Sequence, residues 1–399
     1  MALKETKVVR DPIHGNITLT DLEVAVLDTP QVQRLRNIKQ NGFCYLVYPA
    51  MNSTRFEHSL GVMHLAGRVA DQLGVHYDDW EMLRVAGLLH DVGHYPFSHT
   101  LDELIAKFGV PHEERSSELI KTTELSDILK AHGMNPSVIA EMVMGRGNLG
   151  KVISSEIDVD RMDYLIRDSY YAGVAYGVID LDRIISSIKL VGREIVVDRR
   201  GLEAAESLLI NRNMMYQTVY RHHTKRIAEA MFRRAIQSAF EEGMRHDSIL
   251  KMDDIDLVHS LRNSGTYSRG IMGRIDRRLL FKRFFKENVS LLLESFREDA
   301  KKRQVEIDNK IADDIGVERG SVLIDMPKTK MSEFRILVDC EGEMRRIDEV
   351  SSLAKALERS ESDKLIFYVY VDPKYLDKTK GFDAEKYIQY SQTMLKKFY

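Results

Sequence analysis

The densest concentration of ligating side chains in this sequence is Leu88-Leu89-His90-Asp91-Val92-Gly93-His94-Tyr95-Pro96-Phe97-Ser98-His99. An apolar run of Val85, Ala86, Leu88 and Leu89 leads straight into it, so the spacing predicts His90 and Asp91 at the end of a buried helix. Buried polar groups without partners are costly, and a metal ion is the simplest partner for such a pair. Upstream stands Arg55-Phe56-Glu57-His58-Ser59, and downstream an acidic stretch, Glu156-Ile157-Asp158-Val159-Asp160-Arg161-Met162-Asp163-Tyr164. His58, the His90-Asp91 pair and the distant Asp160 together form a mixed nitrogen and oxygen ligand set. Such a set suits one first-row divalent ion (Fe, Mn, Ni or Zn) and a hydrolytic water.

Other polar residues gather around this set. Arg55 precedes His58 by about one helical turn, so its planar fork can face the same pocket and meet a phosphate. His90 and Asp91 point ~100° apart on an ideal helix, so both reach one ion only near a helix end. His94, His99 and His112 add three imidazoles, any of which can act as general acid to a leaving alkoxide. His99 stands one turn before Asp102, which can orient and charge it, and His112-Glu113 offers a similar pair. Tyr164 and Asp168 follow Asp160 along one helix face. Arg212, Tyr216 and Tyr220 recur at helical spacing, a stripe able to bind phosphate and stack on a base. His64, His76, His132, His246 and His259 lack such company and read as surface or packing residues. There is no Gly-rich phosphate loop and no Gly-x-Ser-x-Gly elbow, so kinase and serine-hydrolase readings lack support.

These residues need a scaffold, and the pattern predicts a mainly helical one. Lys7 to Thr20 reads as a short hairpin around a Pro-Ile-His-Gly turn. Helices are expected from Thr29-Pro30, from Asn52-Ser53-Thr54, and over 79–91, 116–132, 136–144, 157–171, 182–188 and 202–240. After a loop at 263–268 the pattern predicts a charged helix from 274 to about 314. Strands are expected at 321–326, 334–339 and 365–371, with Ile195-Val196-Val197 as a possible partner, and a last amphipathic helix over 384–397. The expected organisation is thus a helical core over 1–265 and a smaller α+β region over 266–399. With 44% hydrophobic and 30% charged residues the 399-residue chain has the composition of a globular protein. A net charge of −3 offers no positive field for nucleic acid, no apolar run approaches a bilayer span, and the start of the chain lacks a signal-peptide core. Two distant cysteines, Cys44 and Cys340, exclude a disulfide framework and fit a reducing cytoplasm.

On these motifs the chain resembles the HD-domain phosphohydrolases, and within them the deoxynucleoside triphosphate triphosphohydrolases of the SAM- and HD-domain-containing type. The matching stretches are Asp11-Pro12-Ile13-His14-Gly15, Asp28-Thr29-Pro30-Gln31, Gln33-Arg34-Leu35-Arg36, Arg55 to Gly61, His90 to His94 with Pro96-Phe97-Ser98-His99, and Asp158 through Asp168. They span roughly residues 7 to 240, and the first opens so near Met1 that no SAM domain is expected ahead of it.

The resemblance implies a helical HD core with His58, His90, Asp91 and Asp160 as metal ligands. It implies contacts to the α-phosphate and leaving group from Arg55, His94, His99, Asp102 and His112. Sugar and triphosphate contacts are implied for Gln40, Arg161, Tyr164, Asp168, Arg212 and Tyr220, with Mg entering alongside the nucleotide. It also implies a regulatory site for GTP or dGTP between subunits of a homo-oligomer, matched here by Lys7, Asp28, Gln33 and Arg36. Two positions depart from the pattern: Asn41 stands where an apolar residue meets the sugar's 2′ edge, and Tyr216 stands where an active-site histidine is usual. The function expected is hydrolysis of (deoxy)nucleoside triphosphates to nucleoside and inorganic triphosphate. The rivals are a phosphodiesterase or nucleotidase on another phosphate ester, and a nucleotide-sensing protein with a structural metal.

Overall fold

A computed structural model describes residues 7–177, 179–327, 335–362 and 364–389. Their contacts divide them into two compact units. The first holds the chain up to Val219 and takes back 246–257 and the described part of 333–355, while the intervening and following segments form the second.

The first unit is mainly helical, as expected. It opens on a hairpin, Lys7–Asp11 against Gly15–Leu19, whose turn is set by the Asp11 carboxylate accepting the backbone N–H of Ile13 and His14 at 2.8 Å. The helix Arg55–Leu73 starts from a capping box between Thr54 and Glu57 and stops at Gly74, whose φ of +62° terminates it. Its residues are buried on most sides, because helix Tyr77–Leu89 crosses it closely where Gly87 meets the backbone of Met63. That second helix ends at Leu89, leaving His90 as its cap residue, so the pair does sit at a buried helix end. Helices His112–Thr122, Pro136–Val143 and Val159–Ala172 complete the surroundings of the site. A four-stranded sheet, in the order Ile188–Val191, Glu194–Asp198, Leu337–Cys340, Glu343–Arg346, also belongs to this unit. Ile195 to Val197 therefore do form a strand, in a hairpin with Ile188–Val191 and parallel to Leu337–Cys340.

The second unit is α+β. Its antiparallel sheet places Ile366–Val371 between Lys282–Asn288 and Val322–Asp325. Val289, Leu292, Phe296, Ile311, Ile324 and Phe367 are among the residues of its apolar core.

Several expected elements differ. The helix expected over 116–132 is two, His112–Thr122 and Glu124–Ala131, because Thr123 between them is extended. The long helix expected over 202–240 is Leu202–Met215, a π-helical stretch Tyr216–Tyr220 and a separate helix His223–Glu241 that begins after the non-helical cap residue His222. The charged helix expected from 274 is interrupted: Thr266–Asp276 ends before Arg278 at φ +57°, and Lys282–Asn288 is a strand before helices Glu294–Lys302 and Gln304–Ile315. Its partly buried phenylalanines pack on the second core, a tertiary term that overrides the charge pattern. Of the helix expected over 384–397, the described part holds only a short turn, Glu385–Tyr387, and the remainder lies outside the described residues. Among the described residues no helix is long and apolar enough to cross a membrane.

Candidate active site

Three helices of the first unit converge on the predicted ligands. His58 comes from helix Arg55–Leu73, His90 and Asp91 from the end of Tyr77–Leu89, and Asp160 from the first turn of Val159–Ala172, which Asp158 caps. One ligand atom each from His58, His90 and Asp160 lie within 4.8 Å of one another, an arrangement able to hold a metal ion. His58 Nε2 is 2.9 Å from Asp160 Oδ1, which is 3.9 Å from His90 Nε2. Asp91 joins the group, with Oδ1 at 3.3 Å from His90 Nε2 and Oδ2 at 3.9 Å from His58 Nε2.

The donor set fits a divalent cation on three observations. His90 Nε2 is buried with no hydrogen-bond partner, although its Nδ1 donates to the Gly87 carbonyl at 2.7 Å. His58 likewise donates from Nδ1, to Asp163 Oδ2 at 2.8 Å, which turns its Nε2 toward the cluster. Burial would lower the His58 imidazole, yet hydrogen bonds and charge from Asp160 and Asp163 raise it to about 10. A site that holds a proton so firmly attracts a metal cation for the same electrostatic reason. Asp91, despite burial, is held well below the usual carboxylate range by His90, His94 and Arg55.

The remaining histidines line one side of this centre. His94 Nε2 is 3.0 Å from Asp91 Oδ1, and its ring stacks on that of His112 at 3.8 Å. Gly93 makes this approach possible: a Cβ there would stand 2.2 Å from the His112 carbonyl and 2.4 Å from Ser116 N. Burial, then the charge of Arg55, pushes the His94 imidazole well down, and burial lowers His112 also. Asp91, His94 and His112 form a second group with metal-ligand spacing. Arg55 already occupies the other oxygen of Asp91 at 2.5 Å, and its fixed charge opposes a further cation there. Arg55 also reaches His99, Nη2 to Nε2 at 3.3 Å, while Asp102 lies 3.7 Å from His99 Nδ1. His112 has Glu113 at 3.3 Å.

The other predicted residues fall into separate sets. Asn41 and Asp168 meet, the amide donating to the carboxylate at 2.7 Å, and Gln40 beside them is buried with its carbonyl oxygen unpartnered. Tyr164 lies half-buried on the Asp160 helix. Arg161 is held by its own acidic neighbourhood, Glu156 at 3.8 Å and Asp158 at 3.7 Å. Arg212 lies over the Tyr216 ring at 4.6 Å. The stripe does not continue to Tyr220 in α-helical register, because Tyr216–Tyr220 winds as a π-helix, and Tyr220 is assigned to the second unit. Of the residues matched to a regulatory site, Arg36 donates to Gln33 at 2.8 Å, and Gln33 donates to the carbonyl of Leu27, next to the exposed Asp28. Lys7 is exposed at the start of the hairpin.

Sequence reasoning assigned no role to His14, Asp163 and Arg167. His14 Nε2 is 2.6 Å from Asp163 Oδ1, and Arg167 binds Asp163 and, at 2.8 Å, Asp11. The Asp11-Pro12-Ile13-His14-Gly15 motif thus ends on the carboxylate that orients His58, and its recurrence in the family pattern was the available signal. Gly61 is required here, since a Cβ would stand 1.9 Å from Asp163 Oδ1.

Residues 55–168 match the HD domain, and residues 179–398 match the HD associated region. An uncharacterized protein of Methanocaldococcus jannaschii is 41% identical over 366 residues, covering 89% of this chain and 77% of its own. The deoxynucleoside triphosphate triphosphohydrolase SAMHD1 of Gallus gallus is 31% identical over 341 residues, covering 69% of this chain and 55% of its own. The chain therefore spans about half the length of that relative. A crystal structure of a hypothetical protein from Aquifex aeolicus superposes with a TM-score of 0.76 at 30% identity, covering 94% of this chain and 99% of that one. A phosphohydrolase from Bacteroides thetaiotaomicron gives 0.73 at 25% identity, covering 92% and 100%.

Proposed function

The chain belongs to the HD-domain phosphohydrolase family, and from that premise we propose that it hydrolyses (deoxy)nucleoside triphosphates at the α-phosphate, releasing nucleoside and inorganic triphosphate. The observation that carries the reading is the buried cluster of His58, His90, Asp91 and Asp160 with its orphaned His90 Nε2, set directly beside Arg55 and His99. These four residues would hold one divalent transition ion. When bound, such an ion polarises a phosphoryl oxygen and makes water a nucleophile near neutral pH.

The chain's own residues supply the rest. Arg55, fixed by Asp91, points its second amino group toward His99 and offers a fork to a phosphate between them. His99, oriented by Asp102, protonates the leaving 5′ oxygen. His94 and His112 are kept neutral by burial and serve as hydrogen-bond donors rather than charges. Gln40, Asn41, Tyr164 and Asp168 offer mixed donors and acceptors suited to sugar hydroxyls, while Arg161, Arg212 and the Tyr216 ring suit phosphate and base.

The test is product analysis by ion-exchange chromatography after incubation with a panel of NTPs and dNTPs. Inorganic triphosphate is expected, and pyrophosphate or monophosphate as the first product would overturn attack at the α-phosphate. Elemental analysis should find about one transition metal per chain, lost in His90→Ala. Full occupancy in both His90→Ala and Asp91→Ala would remove this pair from the ligand set.

A further inference from the structure

Residues 246–257 return to the first unit between two segments of the second, and no motif in the sequence pointed to them. Three buried or half-buried side chains tie them to the backbone of the site. Arg34 donates to the carbonyls of His94 and Met252, and Arg115 to those of Gly93 and Leu250. The third tie runs the other way: Asp254 accepts the backbone N–H of Phe97 at 2.8 Å on one oxygen and that of Lys39 at 2.9 Å on the other. We propose that Asp254 is a positioning residue for His99, fastening the turn that presents His99 to the backbone that presents Arg55.

The two ends of this clamp differ in kind. Lys39 is firm, since it pairs with Thr54 in a β-bridge and is flanked by the bonds Gln40 N–H to Ser53 O at 3.0 Å and Arg55 N–H to Ile38 O at 2.9 Å. Lys39 and Arg55 are therefore parts of one hydrogen-bonded piece. Phe97 is the strained end, at φ +46° and ψ +38°, a left-handed conformation that non-glycine residues seldom adopt. Phe97 is also the cap residue of helix Ser98–Ile105, which has no side-chain cap, and His99 lies in the first turn of that helix. The direction in which His99 leaves the turn thus depends on Phe97 keeping an unfavourable conformation. Its relaxation is opposed by stacking on Phe43 at 5.0 Å and by the Asp254 carboxylate. Because the second oxygen of Asp254 holds Lys39, the His99 turn is referenced to Arg55, and the 3.3 Å approach of the two side chains is its consequence. An asparagine has the same shape but turns an N–H₂ toward one of the two N–H groups, so it can hold only one end.

The role of His99 rests on the proposed function; the clamp itself does not, and the experiment separates them. Amide hydrogen exchange on the metal-loaded full chain should show Phe97 and Lys39 protected in the wild type. In Asp254→Asn, peptides over 38–42 and 94–101 should exchange at least about tenfold faster, while helix Arg55–Leu73 and metal content stay unchanged. Asp256→Asn, an exposed change on the same segment, should leave both peptides as they are. If phosphate-ester turnover is measurable, Asp254→Asn should lower kcat about 10- to 100-fold per metal-loaded molecule with KM within about twofold, well below its melting temperature, because misplacing a catalytic group by about 1 Å costs that much. A purely stabilising residue would shift the melting temperature and leave that kcat in place. Fast exchange of Phe97 and Lys39 in the wild type overturns the clamp without any variant. Loosened peptides with unchanged kcat overturn the link to His99, and a failure to find any hydrolysis would count against the proposed function alone.

Discussion

His99 differs from the other imidazoles of the site in its access to water: its side chain is 60% exposed, against 3% for His94 and 32% for His112. A general acid must be reprotonated after each turnover, and only His99 combines that access with contact to Arg55 and Asp102. His99→Ala should lower turnover roughly 10²–10⁴-fold, the usual worth of a general acid, with metal content unchanged. An unchanged rate on a natural leaving group would move the role to His112. A second residue-scale prediction concerns Asn41. Its amide nitrogen is committed to Asp168, which leaves its carbonyl oxygen as the atom able to accept a ribose 2′-hydroxyl. An apolar side chain there would bury such a hydroxyl unpaired, a loss of about 1–3 kcal/mol. Asn41→Leu should therefore raise the dNTP-to-NTP ratio of kcat/KM by up to roughly 150-fold. A wild-type ratio already beyond that, and unmoved by the change, would show that another residue guards the sugar.

Elements bring these side chains together through a few close approaches and several buried ionic nodes. In the second unit the node is Asp325, which Arg226 and Arg233 bind at 2.7 and 2.9 Å and to which Tyr370 donates at 3.0 Å. Asp308, nearby, is a poorer case. One oxygen accepts Ile324 N–H at 2.6 Å, the other is buried without a partner, and burial pushes the carboxyl well up against the attraction of Arg234 and Arg233. An acid with a raised folded pKa stays protonated in the native state while the unfolded chain ionises. Stability contributed by Asp308 is thus lost as pH rises above its unfolded value of about 4. Asp308→Asn has no proton to lose and keeps the Ile324 bond. Its melting temperature relative to wild type should climb as pH rises above about 4, and a gap independent of pH would mean that Asp308 is ionised in the fold.

At the scale of the whole molecule the open matter is regulation. Asp28 and Arg36 are exposed and Gln33 between them is half-buried; we propose that with Lys7 they take a guanine nucleotide, an acid and an amide reading the base while cations hold phosphates. We expect GTP to raise dNTP hydrolysis or shift the sedimentation of a homo-oligomer, and Asp28→Ala to abolish that response with metal content intact. Basal activity indifferent to GTP, with unchanged sedimentation, would reduce these residues to packing.

The sequence by itself determined which side chains could ligate a metal and that helices would carry them. A mixed His/Asp set after an apolar run, and period-3.6 patterning over most of the first 240 residues, are local properties that survive without any knowledge of contacts. The helix end at His90, the hairpin before Thr20 and the strand at 366–371 were legible for that reason. Only the tertiary structure decided the supports. His14 meets Asp163 across 149 positions, Asp254 meets Phe97 across 157, and Ile195–Val197 finds its parallel neighbour at Leu337. Lys282–Asn288 became a strand because partly buried phenylalanines had a second core to join, despite a charge pattern that favoured helix. Local periodicity reports which face of an element is apolar. It carries no information about which distant backbone N–H an aspartate will hold, because that choice is made by packing among elements and by the cost of leaving a buried polar group unpaired.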